Sequence, residues 1–155
     1  MSDVSEATPA QLKSRMLNKL ASRVRTRQQL MHWALQQGYK PEVVEVALED
    51  LQRVQVLDDL AYARALVQSK PDLAFPELRR RLLTAGVSET HITTAIEERS
   101  GGDQEACERV VARLWTRMSK LPFEVAQRRI LNQLKRRGYD FSTAMRALER
   151  VAGGR

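Results

Sequence analysis

The sequence is poor in the residues that interrupt or cross-link a chain. One cysteine in 155 residues, Cys107, excludes an intrachain disulfide and fits a reducing cytoplasm. Five prolines and seven glycines leave most of the chain free to run in long regular elements. No apolar run approaches the roughly 18 residues of a membrane-spanning helix. The opening "MSDVSEATPA" lacks the basic start and apolar centre of a signal peptide and reads as a disordered lead over residues 1–11. Sustained alternation of apolar and β-branched residues is also missing, so strands are not expected.

What is present points to helices. Leu, Ala, Arg, Gln and Glu dominate, and all are good helix formers. A hydrophobic fraction of 43% is enough for a core, and 29% charged residues imply a well-solvated exterior. The class expected is all-α. The formal charge of +7 is unevenly spread: Lys and Arg against Asp and Glu give 8 − 6 = +2 over 1–57, 6 − 7 = −1 over 58–102 and 12 − 6 = +6 over 103–155. Excess basic charge concentrated in the last third suits a polyanionic partner, either nucleic acid or an acidic protein surface.

Three segments align without gaps on a glycine: "LMHWALQQGYKPEVVEVAL" (30–48), "LRRRLLTAGVSETHITTAI" (78–96) and "ILNQLKRRGYDFSTAMRAL" (130–148). Their glycines are Gly38, Gly86 and Gly138. Apolar residues stand eight before each (Leu30, Leu78, Ile130) and four before each (Ala34, Leu82, Leu134), which is one face of a helix. Glycine then ends that helix. Pro41, Ser88 and Asp140 start another. A further helical stretch precedes each pair: "LKSRMLNKLA", "LAYARALVQSK" and "EACERVVARLWTRM", the last with Val110, Val111, Leu114 and Met118 as its buried stripe. Units this small cannot bury their apolar faces alone, so they must stack. The expectation is an elongated, curved array of three tandem three-helix repeats over 12–57, 58–102 and 103–155, with "SGGDQ" at 100–104 as the clearest joint.

The basic helices have two readings. In "ELRRRLLTAG", Leu78, Leu82 and Ala85 belong to the core while Arg79, Arg80 and Arg81 fan across the solvent side. In "AQRRILNQLKRRG", Arg128, Arg129, Lys135, Arg136 and Arg137 stand beside Asn132 and Gln133, a mixture suited to phosphates and base edges. Arg109, Arg113 and Arg117 form another stripe, although Glu105 and Glu108 offer Arg109 a partner. Arg25 and Arg27 extend a stripe in the first repeat. Each set also fits a solvated face whose cations complement the helix dipole. Other features point to structure. Asp58 and Asp59 read as a helix cap rather than paired catalytic carboxylates. His32, His91 and Cys107 lack metal-ligand spacing, and Cys107 reads as a buried thiol. Trp33, Trp115, Tyr39 and Tyr139 offer rings for base stacking, with partial core packing the simpler reading for Trp33. No glycine-rich phosphate loop or Ser-His-Asp set is present, so neither an enzyme nor a cofactor is expected.

The stretch "VLDDLAYARALVQSK", with Leu57, Asp58, Asp59, Tyr62 and Ala63, resembles the "YLDD-x-x-F-A" segment of the RecX regulators of the bacterial recombinase RecA. "RVRTRQQL", "ELRRRLLTAGV" and "QRRILNQLKRRGY" resemble further parts of that family, so the similarity runs over about residues 12–151. Three positions depart from its pattern: Ala74 where Gly is usual, Glu77 where Arg is usual, and Val56 where Tyr is usual. The resemblance implies tandem three-helix repeats. It also implies a regulator rather than a catalyst, lying in the groove of the RecA–single-stranded DNA filament; a cytoplasmic monomer with weak contact to single-stranded and duplex DNA is expected alongside. Such a protein limits filament extension and damps ATPase, strand-exchange and coprotease activities in DNA repair, homologous recombination and the SOS response. It turns the basic helices into contact surfaces, above all residues 128–137. The alternative is a stand-alone DNA-binding module, whose three-helix units present the C-terminal arginines to DNA.

Overall fold

All three aligned glycines adopt left-handed backbone, with φ of 96° at Gly38, 90° at Gly86 and 92° at Gly138. Behind each, the amide of the next residue bonds back to the carbonyl five before it: Tyr39 to Ala34, Val87 to Leu82 and Tyr139 to Leu134. That closes the helix and turns the chain into the next one within two residues. The structure, a computed structural model, describes residues 4–153. Among these the chain is all-α and its helices fall into three triplets. They are α1 (Pro9–Ser22), α2 (Arg27–Gln36) and α3 (Pro41–Arg53); α4 (Asp59–Ser69), α5 (Phe75–Thr84) and α6 (Glu89–Glu97); α7 (Asp103–Arg117), α8 (Phe123–Arg136) and α9 (Phe141–Ala152). The middle helix of each triplet ends at an aligned glycine.

Local chemistry sets the helix starts. Thr8 and Thr26 form reciprocal capping boxes with Gln11 and Gln29. Pro41 occupies the first turn of α3, Ser88 accepts the amide of His91 at 3.3 Å, and Asp140 accepts that of Thr143 at 2.7 Å. The Thr8 box corrects the lead expected over 1–11: α1 already begins at Pro9, and Val4 and Ala7 pack against the core. Residues 1–3 of that lead lie outside the described residues.

The chain divides into two compact units, Met1–Ala65 with Leu82–Thr94, and Leu66–Arg81 with Ala95–Arg155. In the first, Leu12, Met16, Leu30, Ala34, Val44 and Leu48 form the core where α1 and α2 meet α3. In the second, Val110, Leu114, Ile130, Leu134, Ala147 and Leu148 do the same where α7 packs on α8 and α9. Each fully buried Leu or Ile contributes roughly 1.5–3 kcal/mol. The segment 100–102 connects α6 to α7 inside the second unit.

Each unit contains the same joint between successive triplets. In the first, the buried Thr26 hydroxyl donates to the carbonyl of Ala85, and the Arg27 amide at the head of α2 donates to Asp59 Oδ1 at 2.9 Å. In the second, the Ala74 amide donates to the Arg137 carbonyl at 2.9 Å, and the Phe75 amide heading α5 donates to Asp103 Oδ1 at 2.9 Å. The start of one triplet's middle helix is thus pressed on the glycine turn of the next triplet. Arg99, almost fully buried, staples the second joint through Nη1 to the Leu73 carbonyl at 2.7 Å and Nη2 to Asp103 at 3.0 Å, its guanidinium 4.0 Å over the Phe75 ring. Tyr139 donates its hydroxyl to the Asp72 carbonyl at 2.7 Å.

This construction ranks the glycines. A Cβ on Gly138 would lie 2.7 Å from Glu77 Cβ and 3.3 Å from its backbone nitrogen, whereas one on Gly38 meets only the Val4 side chain, at 3.3 Å. Left-handed backbone alone costs an alanine about 1–2 kcal/mol. Gly38→Ala is expected to lose about that amount, and Gly138→Ala at least 1 kcal/mol more through the overlap, read as the shift in urea midpoint of each variant.

Candidate polyanion-binding face

Helix α8 is amphipathic by construction. Ala126, Ile130 and Leu134 are buried, and Glu124 in the first turn is its one acidic residue. At about 100° per residue, Arg128, Arg129, Asn132, Lys135 and Arg136 fall within an arc of about 120°, and all five are exposed. Among the described residues, none of these four cations is ion-paired with a carboxylate. Arg137, the C-cap, behaves differently: its Nη1 donates to the carbonyl and the side-chain oxygen of Gln133 at 3.2 and 3.1 Å. Gln133 is thereby drawn away from the outer arc, where the spacing had placed it.

In the other basic stripes, Arg27, Arg80, Arg81 and Arg113 are engaged in internal contacts. Arg80 and Arg81 both hold Glu77, at 2.7 and 3.1 Å, while Arg79 is exposed. Arg113 pairs with Asp72, and Arg27 with Glu45 and, at 3.0 Å, Gln52. Arg25 is half-buried. Arg109 and Arg117 are exposed on α7. Glu108 does not take Arg109, as its spacing had suggested; it faces Gln104 and, at 3.6 Å, Arg150.

The other chemically suggestive residues resolve into structure. Asp58 caps its own helix, accepting the Ala61 amide at 3.0 Å, whereas Asp59 caps α2 of the preceding triplet rather than α4. Cys107 is fully buried, and burial, with Asp103 and Glu108 nearby, pushes its thiol up to about 11. Trp33 is half-buried against the first core. Trp115 meets Phe123 edge-on with centroids 5.5 Å apart. Among the described residues no three His, Cys, Asp or Glu side chains could hold a metal ion, and no helix is long and apolar enough to cross a membrane.

Comparison with known proteins adds the decisive observation. No protein-family model matches the chain. The regulatory protein RecX of Thermobifida fusca is 33% identical over 134 residues, covering 84% of this chain and 72% of its own length. The chain belongs to the RecX family. The RecX of Streptomyces coelicolor is 30% identical over 139 residues, covering 87% of this chain and 74% of that protein. The RecX of Prosthecochloris aestuarii is 26% identical over 157 residues, covering 96% and 98%. Two RecX crystal structures share the fold. One gives a TM-score of 0.70 at 24% identity over 87% of this chain and 68% of the other. The second, from Lactobacillus salivarius, gives 0.75 at 16% identity over 92% and 96%. The relatives carry the name of regulatory proteins, and the all-α reading of this RecX chain stands.

Glu77, which stands where the resembling segment usually has arginine, is tied into the fold by two ion pairs. Its spacing to Arg80 and Arg81, three and four residues on, was the available signal. Hydrogen bonds from Arg80 and then Arg81 outweigh desolvation and pull its carboxyl from 4.5 to about 2. A carboxyl depressed in the folded state contributes stability that is present above about 4.5 and lost as pH falls toward 2. Glu77→Gln should therefore flatten the loss of thermal midpoint between pH 4.5 and 2. Equal acid sensitivity of variant and parent would show that the clamp contributes nothing.

Proposed function

We propose that this RecX chain is a negative regulator of the RecA recombinase. In this reading it binds the RecA–single-stranded DNA filament in its groove, limits filament extension and thereby inhibits ATPase, strand-exchange and coprotease activities. Family membership supports the regulatory role. The observation that carries the site is the arc on α8, where Arg128, Arg129, Lys135 and Arg136 are exposed and, among the described residues, have no carboxylate partner. Arg109 and Arg117 on α7 are secondary contacts. Such cations suit a filament carrying phosphates and acidic side chains: arginine pairs with either bidentately, and each phosphate neutralised releases counterions. Asn132 within the same arc adds a group able to meet a base edge. The arginines clamped on Glu77, Asp72 and Glu45 serve the fold in this reading. The protein acts as a monomer in the cytoplasm, within DNA repair, homologous recombination and the SOS response.

The test is RecA ATPase on single-stranded DNA with a fraction of an equivalent of this protein. Hydrolysis should fall, and changing Arg128, Arg129, Lys135 and Arg136 to Ala together should raise the concentration for half-inhibition at least tenfold. Arg137→Ala, which removes a C-cap contact, should change it little. Undiminished hydrolysis, with salt-sensitive duplex binding in the absence of RecA, would instead establish a stand-alone DNA-binding module.

A further inference from the structure

Residues 9–40 contain seven lysines and arginines and no aspartate or glutamate. Two of those cations find carboxylates elsewhere in the first unit: Lys13 on Asp50 at 3.1 Å, and Arg27 on Glu45. Among the described residues, Arg15 and Lys19 find none. They lie one turn apart on α1, where like charges repel, and both are held over an aromatic ring. The Arg15 guanidinium carbon is 5.0 Å from the Trp33 centroid and 5.6 Å from that of Tyr39; Lys19 Nζ is 4.7 Å from Trp33. Arg15 Nη1 also donates to the Tyr39 hydroxyl at 2.7 Å, and the two rings stand 6.5 Å apart at 41°. Tyr39 is buried beneath this group, Trp33 and Lys19 are half-buried, and Arg15 is exposed.

The rings fix the position of both charges without neutralising them. An arginine has five N–H donors, and among the described residues Arg15 uses one, on Tyr39. Lys19 makes no hydrogen bond through its ammonium group among the described residues. Two cations anchored within one turn, with most of their donors unused, provide a seat for an anion that bridges them. The aromatic support narrows the anion's identity. A carboxylate needs only the cations, whereas a nucleotide uses the flat guanidinium and the indole as stacking surfaces as well.

We propose that Arg15, Lys19, Trp33 and Tyr39 form a nucleotide-binding site for single-stranded nucleic acid, with a backbone phosphate on Arg15 and Lys19 and an unpaired base stacked beside Trp33. The site lies in the first unit, is separate from the arc on α8 and does not depend on the RecA reading. Tyr39 is its positioning residue, since its hydroxyl orients Arg15. Duplex DNA satisfies the phosphate requirement but offers no free base face, so the site selects single strands.

Two tryptophans make the site directly observable. In a Trp115→Phe chain, Trp33 is the sole indole reporter. Replacing Arg128, Arg129, Lys135 and Arg136 by Ala in the same chain removes the α8 contact. Titration of this full-length variant with a dodecamer of thymidylate, without RecA, should quench Trp33 emission saturably. Adding Arg15→Gln, at an exposed position, and Lys19→Gln, at a half-buried one, should weaken binding at least tenfold and flatten the log K against log salt slope by about 0.7, the value for one single-strand phosphate contact. Trp33→Phe, followed by anisotropy of a labelled strand, should weaken binding severalfold and leave that slope unchanged. The proposal is overturned if the dodecamer does not bind, or binds without altering Trp33 emission. Equal quenching by a twelve-base-pair duplex would overturn single-strand selection. Equal quenching by a twelve-residue polyglutamate would reassign the face to acidic protein surfaces. Because RecA is absent, failure here leaves the ATPase result untouched, and the reverse also holds.

Discussion

A helix presents four amide hydrogens at its start that have no partner within it, and both joints in this chain depend on meeting them. At the head of α2 and again at the head of α5, one amide is answered by an aspartate that opens the first helix of the following triplet. The neighbouring polar group reaches the last carbonyl before a glycine turn. The repeat therefore propagates through backbone chemistry as much as through apolar packing. This explains why a chain with small individual cores still forms compact units. It also explains the spacing: Asp59 and Asp103 stand where the next triplet begins, so the residue that starts one module finishes another.

Much of this architecture was legible because its signals are local. The aligned glycines, the apolar residues four and eight before them, and the starts at Pro41, Ser88 and Asp140 are all short-range features, and each occupies the place its spacing indicated. The joints were not legible. Asp59 reaches Arg27 across 32 residues and Asp103 reaches Phe75 across 28, and nothing near either aspartate announces such a partner. The lead expected over 1–11 differs for another reason: the Thr8–Gln11 capping box that starts α1 at Pro9 is a local signal, but it sits inside a polar stretch with no apolar periodicity before it.

The same distinction governs the charges. Counting arginines identified where basic residues are dense but not which of them have been used. Arg80, Arg81 and Arg113 stand in stripes as regular as the one on α8, yet each faces a carboxylate. Glu77, a departure from the family pattern, binds two of them and lies against the Gly138 turn. Where the usual arginine would have added a seventh positive charge to the 58–102 segment, this chain has an internal tie. A basic residue becomes available to a partner only after the fold has taken its share, and at the end of α8 the fold takes the C-cap Arg137.

Cys107 has a practical consequence for anyone wishing to watch this protein at work. Its thiol is sealed in the core of the second unit and held in the protonated form at neutral pH, so alkylating dyes have neither access to it nor a thiolate to attack. A cysteine introduced anywhere on the surface would then carry a fluorophore or spin label by itself, with the native residue left in place. Distances between labels on the two units become measurable in an otherwise unaltered chain.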